Sequence, residues 1–221
     1  MRFSKTLAFS MAGAAALALP SVASAAVVVD TTPGTDPYSG PTPTTDFETP
    51  APVTGGAIRT GNVSGVAAQP FGSTGNYWTV GPTDGSPGIY DLSSYVYVNT
   101  ISFIWGSVDS YNSIDFLDAA GNVIATFTGS DVNNPANGNQ TSPNTNPLVT
   151  FTFTGADGYN VAAARLNSSR NAFETDNWTI VGGVPEPTTW ALMILGFGAI
   201  GFSMRRRRSV AKPATMRVSY S

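Results

Sequence analysis

Residues 148–155 read LVTFTFTG, apolar and polar by turns, with a period of two. A helix would scatter that pattern around its circumference. An extended strand sorts it, with Val149, Phe151 and Phe153 on one face and the threonines on the other. Other short β-branched and aromatic runs lie nearby: residues 96–107 (VYVNTISFIWGS), 113–119 (SIDFLDA) and 122–129 (NVIATFTG), then NVAAARLNS and AFETDNWTIVG. Turn chemistry separates them, DAAGN at 118–122 as a hairpin loop and GADGYN at 155–160 as a second turn. No long amphipathic helix pattern occurs between them. Short strands spaced by Gly, Asn and Pro predict an all-β fold, an antiparallel two-sheet sandwich of jelly-roll type over residues 47–183. A β-helix would require a repeat of fixed period, and none is visible. The polar stretch 129–147 is too long for a simple hairpin, so it is either a floppy insertion or a binding loop.

Composition removes whole classes of chemistry. The chain has no cysteine and no histidine. Disulfides, thiolate or imidazole metal sites, and Ser-His or Cys-His catalytic pairs are therefore excluded. Over residues 26–183 three arginines, Arg59, Arg165 and Arg170, face thirteen carboxylates, a net charge of −10. Such a field repels phosphates, so nucleic acid is not an expected partner. No phosphate-binding glycine loop and no acid/nucleophile motif is present, so no catalytic residue is assigned and the chain is not expected to be an enzyme. Residues 26–46 are dominated by Pro, Thr and Gly and read as an extended leader.

Both ends read as addresses. Arg2 and Lys5 precede an apolar run at 7–19, followed by Pro20 and small residues, with Ala23 and Ala25 framing an A-x-A cleavage site. Thirteen apolar residues fall short of the ~20 a spanning helix needs, so residues 1–25 are expected to be a signal helix removed by signal peptidase. At the other end VPEPTTWA leads into fifteen uncharged residues, 190–204, and four arginines. A helix of that length covers ~22 Å. Counted from Thr188, and with the arginines snorkelling, residues 188–204 just reach across the ~30 Å hydrocarbon core as a single transmembrane helix. The arginines place the 209–221 tail on the cytoplasmic side. A buried core helix would show a polar face, and this run has none.

The order of Pro185, Glu186, Pro187, Trp190, Ala191 and then Arg205, Arg206, Arg207 and Arg208 resembles the PEP-CTERM sorting signal, spanning 184–208 here. The resemblance implies a bacterial protein that is exported, held briefly in the inner membrane, cleaved by an exosortase, and released to the cell surface or the extracellular, exopolysaccharide-containing matrix. The thirteen-residue tail is longer than such signals carry. The body, with WGSVDSYNSIDFLD and FETDNW, resembles exosortase-dependent surface proteins and jelly-roll carbohydrate-binding modules, whose first and last strands often share a calcium ion. That resemblance makes a structural calcium the one candidate cofactor, with Glu48, Asp176 and Asn177 (and Glu174 beside them) as its oxygen donors. The alternative is that these are surface carboxylates and turn residues. Asp109, Asp115 and Asp118 form a weaker group, since a regular strand sends Asp115 and Asp118 to opposite faces. For exopolysaccharide binding, the flat rings of Trp78, Tyr95, Tyr97 and Tyr111 are the candidate platform.

Overall fold

The computed structural model describes residues 27–155, 157–184, 187–208 and 219. The signal segment, with Ala23 and Ala25, lies outside the described residues, as do Pro185, Glu186 and nearly all of the C-terminal tail.

Eleven strands are described: β1 (Val27–Thr32), β2 (Val53–Thr54), β3 (Ala57–Thr60), β4 (Asn76–Val80), β5 (Gly88–Asp91), β6 (Tyr97–Gly106), β7 (Asn112–Asp118), β8 (Val123–Thr128), β9 (Leu148–Phe153), β10 (Val161–Ser168) and β11 (Phe173–Gly183). They form a six-stranded sheet, β1-β9-β6-β11-β4-β3, and a five-stranded sheet, β2-β5-β10-β7-β8, antiparallel throughout. The two inner faces meet in one core. Phe103, Phe151, Trp78 and Trp178 come from the first sheet, and Tyr90, Ile114, Phe116 and Leu166 from the second. The expected two-sheet sandwich is the fold.

Alternation in β9 does what its sequence requires. Val149, Phe151 and Phe153 are buried, while Leu148, Thr150 and Thr152 are half-exposed. Phe151 meets Phe116 at 4.9 Å between ring centroids, and Phe153 meets the same ring at 4.9 Å, both edge-on. Phe153→Ala should therefore cost about 3 kcal/mol in a urea titration. A midpoint equal to wild type would mean that this face is not packed as described.

The leader is more than a spacer. Its first residues, Val27 to Thr32, are β-branched apart from Asp30 and pair along the whole of β9. Val27 and Val29 pack against the core. Further on, the Thr44 and Thr45 amides donate to the Trp178 carbonyl at 2.7 and 3.1 Å, which stitches the leader to β11. GADGYN is likewise more than a turn, since Asp157–Asn160 form a short helix, α2.

The stretch 129–147 is a built loop. It opens with a single helical turn, α1 (Gly129–Val132), whose Asp131 carboxylate accepts from the Thr128 amide and hydroxyl, both at 2.7 Å. It closes on buried Asn146. That side chain accepts from the Ser107 and Phe71 amides and donates to the Asn139 and Ser142 carbonyls. One amide thus ties the loop to two other segments, which rules out the floppy reading.

Strand β11 changes phase part-way. Phe173 and Thr175 point inward, but so do Trp178 and Ile180, an odd step from one pair to the next. The break lies at Asn177, at φ 55° where the pairing to β6 shifts register. Asn tolerates this left-handed conformation better than most residues, and the bulge re-aims the strand.

Candidate functional site

Three sites expected from the sequence can be placed on this frame. The first is the C-terminal segment. β11 remains paired to β6 as far as Gly183, and Val96 donates to the Gly183 carbonyl at 2.7 Å. A helix, α3 (Pro187–Arg208), follows almost at once and carries Pro187, Trp190, Ala191 and the four arginines. Met193, Ile194, Leu195, Phe197, Ile200, Phe202 and Met204 are exposed on it, and among the described residues the helix adds none to the core. Among the described residues no helix is long and apolar enough to cross a membrane. The expected transmembrane helix at 188–204 is therefore present as a helix without support as a span.

The second is the calcium set. The fold does bring its two ends together. The Asp176 carboxylate is 1 % exposed; its Oδ1 accepts from the Asn177 amide at 2.7 Å, while its Oδ2 has no hydrogen-bond partner. Burial pushes the Asp176 carboxyl up to about 7, and the charges of Asp46 and Glu48 push it the same way, against the pull of the Asn177 amide and the Ser73 hydroxyl. An orphaned carboxylate oxygen, two further carboxylates and a hydroxyl suit a hard cation in charge and donor type. The fit is not a finished cage. Among the described residues no group of three or more Asp, Glu, His or Cys is arranged to hold a metal. Both Glu48 oxygens accept from Asn76, Oε1 from its amide at 2.6 Å and Oε2 from its side chain at 3.2 Å. Glu48 and Asp176 would be the residues to hold calcium. Asn177 is the bulge residue, and Glu174 faces Ala68 and Ser107 instead.

The third is the aromatic platform, which the fold does not assemble. Trp78 is fully buried, its indole donating to the Gly55 carbonyl at 3.1 Å, so it has no face to offer a sugar. Tyr95 leans on the core and Tyr97 opens β6, both half-buried. The Tyr111 ring is covered by the Arg170 guanidinium at 5.6 Å, and its hydroxyl donates to Asp109 at 2.5 Å. Packing takes up Trp78 and Tyr95, and Arg170 covers Tyr111.

The aspartates of the weaker group disperse. Asp115 pairs with Arg165 at 2.8 Å and accepts from Thr126 and Asn167. Asp118 closes the β7–β8 hairpin by accepting from the Ala120 and Asn122 amides.

Comparison with protein families turns on the segment after β11. Residues 183–208 match the model of the PEP-CTERM protein-sorting motif. They are a PEP-CTERM sorting segment. The motif marks the chain for export and exosortase sorting, and it begins on the last paired residue of the sandwich. No curated protein matches the chain.

Proposed function

We propose that this protein is an exported, non-catalytic component of the bacterial cell surface or extracellular matrix. The observation that carries this reading is the PEP-CTERM segment, joined directly to a β-sandwich whose core, among the described residues, draws no side chain from it. In this scheme signal peptidase removes the N-terminus, α3 and its arginines anchor the chain transiently at the inner membrane, and exosortase releases the body. Absence of histidine and cysteine and the dispersal of Asp109, Asp115 and Asp118 favour a structural over a catalytic role. Lectin-like binding through the surface rings has less support, because Trp78 is in the core and Tyr111 is capped.

Intact-mass measurement of the envelope or secreted form should find a species lacking both Met1 and Arg208. Changing Pro185 and Pro187 together to alanine should leave the unprocessed chain in the membrane fraction, because both belong to the Pro-Glu-Pro of the matched sorting motif. A principal form that still carries Met1 or Arg208 in wild-type cells would overturn the reading.

A further inference from the structure

The sandwich has three cations, and each is already engaged. Arg59 pairs with Asp84, Arg165 pairs with Asp115, and Arg170 lies over the Tyr111 ring. Glu174, 2 % exposed, is left without an ion pair among the described residues. Its Oε1 accepts from the Ala68 amide and its Oε2 from the Ser107 hydroxyl, both at 2.9 Å. Each carboxylate oxygen has two acceptor directions, so one on each remains unused by those bonds. A buried carboxylate with no cation is an expensive arrangement, relieved either by a proton, which burial favours at Glu174, or by a cation from outside the chain.

Glu174 lines a cavity of about 350 Å³ at one end of the sandwich. Three loops meet there. The β3–β4 connection brings Asn62, Ser64 and Gly65, the 129–147 loop brings Gln140, and the β10–β11 connection brings Asn171. The walls are held before any ligand arrives. Val63 and Ala67 exchange backbone hydrogen bonds at 2.8 and 3.0 Å, the Asn171 side-chain Nδ2 donates to the Gly65 carbonyl at 3.0 Å, and the Tyr77 hydroxyl donates to the Gly61 carbonyl at 2.8 Å. Such preorganisation lowers the ordering cost of binding. The lining carries amides and hydroxyls but no cation, and the Asp109 charge bears on Glu174 as well. The potential in the cavity is therefore negative, which repels anions and attracts cations.

We propose that this cavity binds a small polar molecule through an ammonium group seated against the Glu174 carboxylate, with Asn62 and Gln140 holding the polar remainder. The ammonium supplies both the missing counter-charge and donors for the unused acceptor directions. The site is independent of the sorting segment, and of the cation neighbourhood at Asp176, which the Glu174 side chain does not join.

Calorimetric titration of the full chain in a non-ionic detergent tests this with ethanolamine, cadaverine and glucosamine, and with N-acetylglucosamine and glycerol as uncharged counterparts. At least one ammonium probe should bind, and N-acetylglucosamine should bind at least tenfold more weakly than glucosamine. Ser64→Trp, an exposed residue at the rim, should fill the cavity and abolish binding while leaving the thermal melt unchanged. Glu174→Gln should weaken the ammonium probe at least tenfold; if that variant fails to fold, Ser64→Trp and the glucosamine pair decide. The proposal is overturned if no ammonium probe binds at millimolar concentration, if the acetylated sugar binds as well as the amine, or if Ser64→Trp binds like wild type.

Discussion

Trp178→Ala should remove about 3–5 kcal/mol of the sandwich's stability and shift its urea midpoint well below wild type. The indole is fully buried and lies between two rings, Phe103 at 4.3 Å and 10° and Tyr90 at 4.7 Å and 11°. Phe103 shares its sheet and Tyr90 belongs to the other, so this one side chain spans the interface between the layers. Its ring nitrogen donates to the Thr175 hydroxyl at 2.9 Å, and removing it strands a buried acceptor. Truncating a core Trp costs about 3–5 kcal/mol, against a total of about 5–15 kcal/mol for an ordinary domain. Urea unfolding followed by near-ultraviolet circular dichroism reads the loss. Trp178→Phe keeps the stack and should recover most of it. A Trp178→Ala midpoint within error of wild type would mean that the bulge at Asn177 aims β11 differently.

The second large effect couples calcium to pH. At pH 8, chelator should lower the melting temperature of the body by about 5–10 °C, the shift expected when about 2.7 kcal/mol of ligand stabilisation is withdrawn from a domain of this size. The sign of the pH effect follows from Asp176, pushed up to about 7 from an ordinary 3.8. In chelator, below about pH 4, the group is protonated folded and unfolded, and pH changes nothing. Between about 4 and 7 the folded chain keeps a proton that the unfolded chain has released, so stability falls as pH rises, by up to about 1.4 kcal/mol per unit, and then levels. Glu174, also pushed up to about 7, adds a change of the same sign. Calcium requires the ionised carboxylate, so its stabilisation should be small at pH 5 and complete at pH 8. Asp176→Asn should erase the difference between calcium and chelator at every pH. A wild-type melt indifferent to chelator at pH 8 would leave Glu48 and Asp176 without a metal.

The six strands from Tyr97 onward were legible because each carries its own pattern, whether alternation as in β9 or an apolar run as in Ile101 to Trp105. The five before it were not. β2, β3 and β5 have two to four residues each and exist through their partners, as when Val53 meets Tyr90 and Ile58 meets Trp78. β1 hid for another reason, since its valines open a stretch otherwise dominated by Pro, Thr and Gly, and the whole of 26–46 reads as an extended leader. Sites divided in the same way. Glu48 and Asp176 were paired only through the resemblance to jelly-roll modules, since no calcium-loop spacing marks them. The rings could not be sorted, because a Trp that packs and a Trp that stacks on a ligand are written alike, and only the fold separates Trp78 from the surface. The Glu174 cavity left no local trace, being made where three loops far apart in sequence converge.

Strand β11 lies between β6 and β4 and leads straight into the sorting helix. Until release, any drag on the body is transmitted along its backbone. Inter-strand hydrogen bonds run perpendicular to the strands, so a pull along β11 loads both flanking ladders in shear, many bonds at once rather than one after another. The tether thus pulls along a strand held in the interior of its sheet and not along an edge.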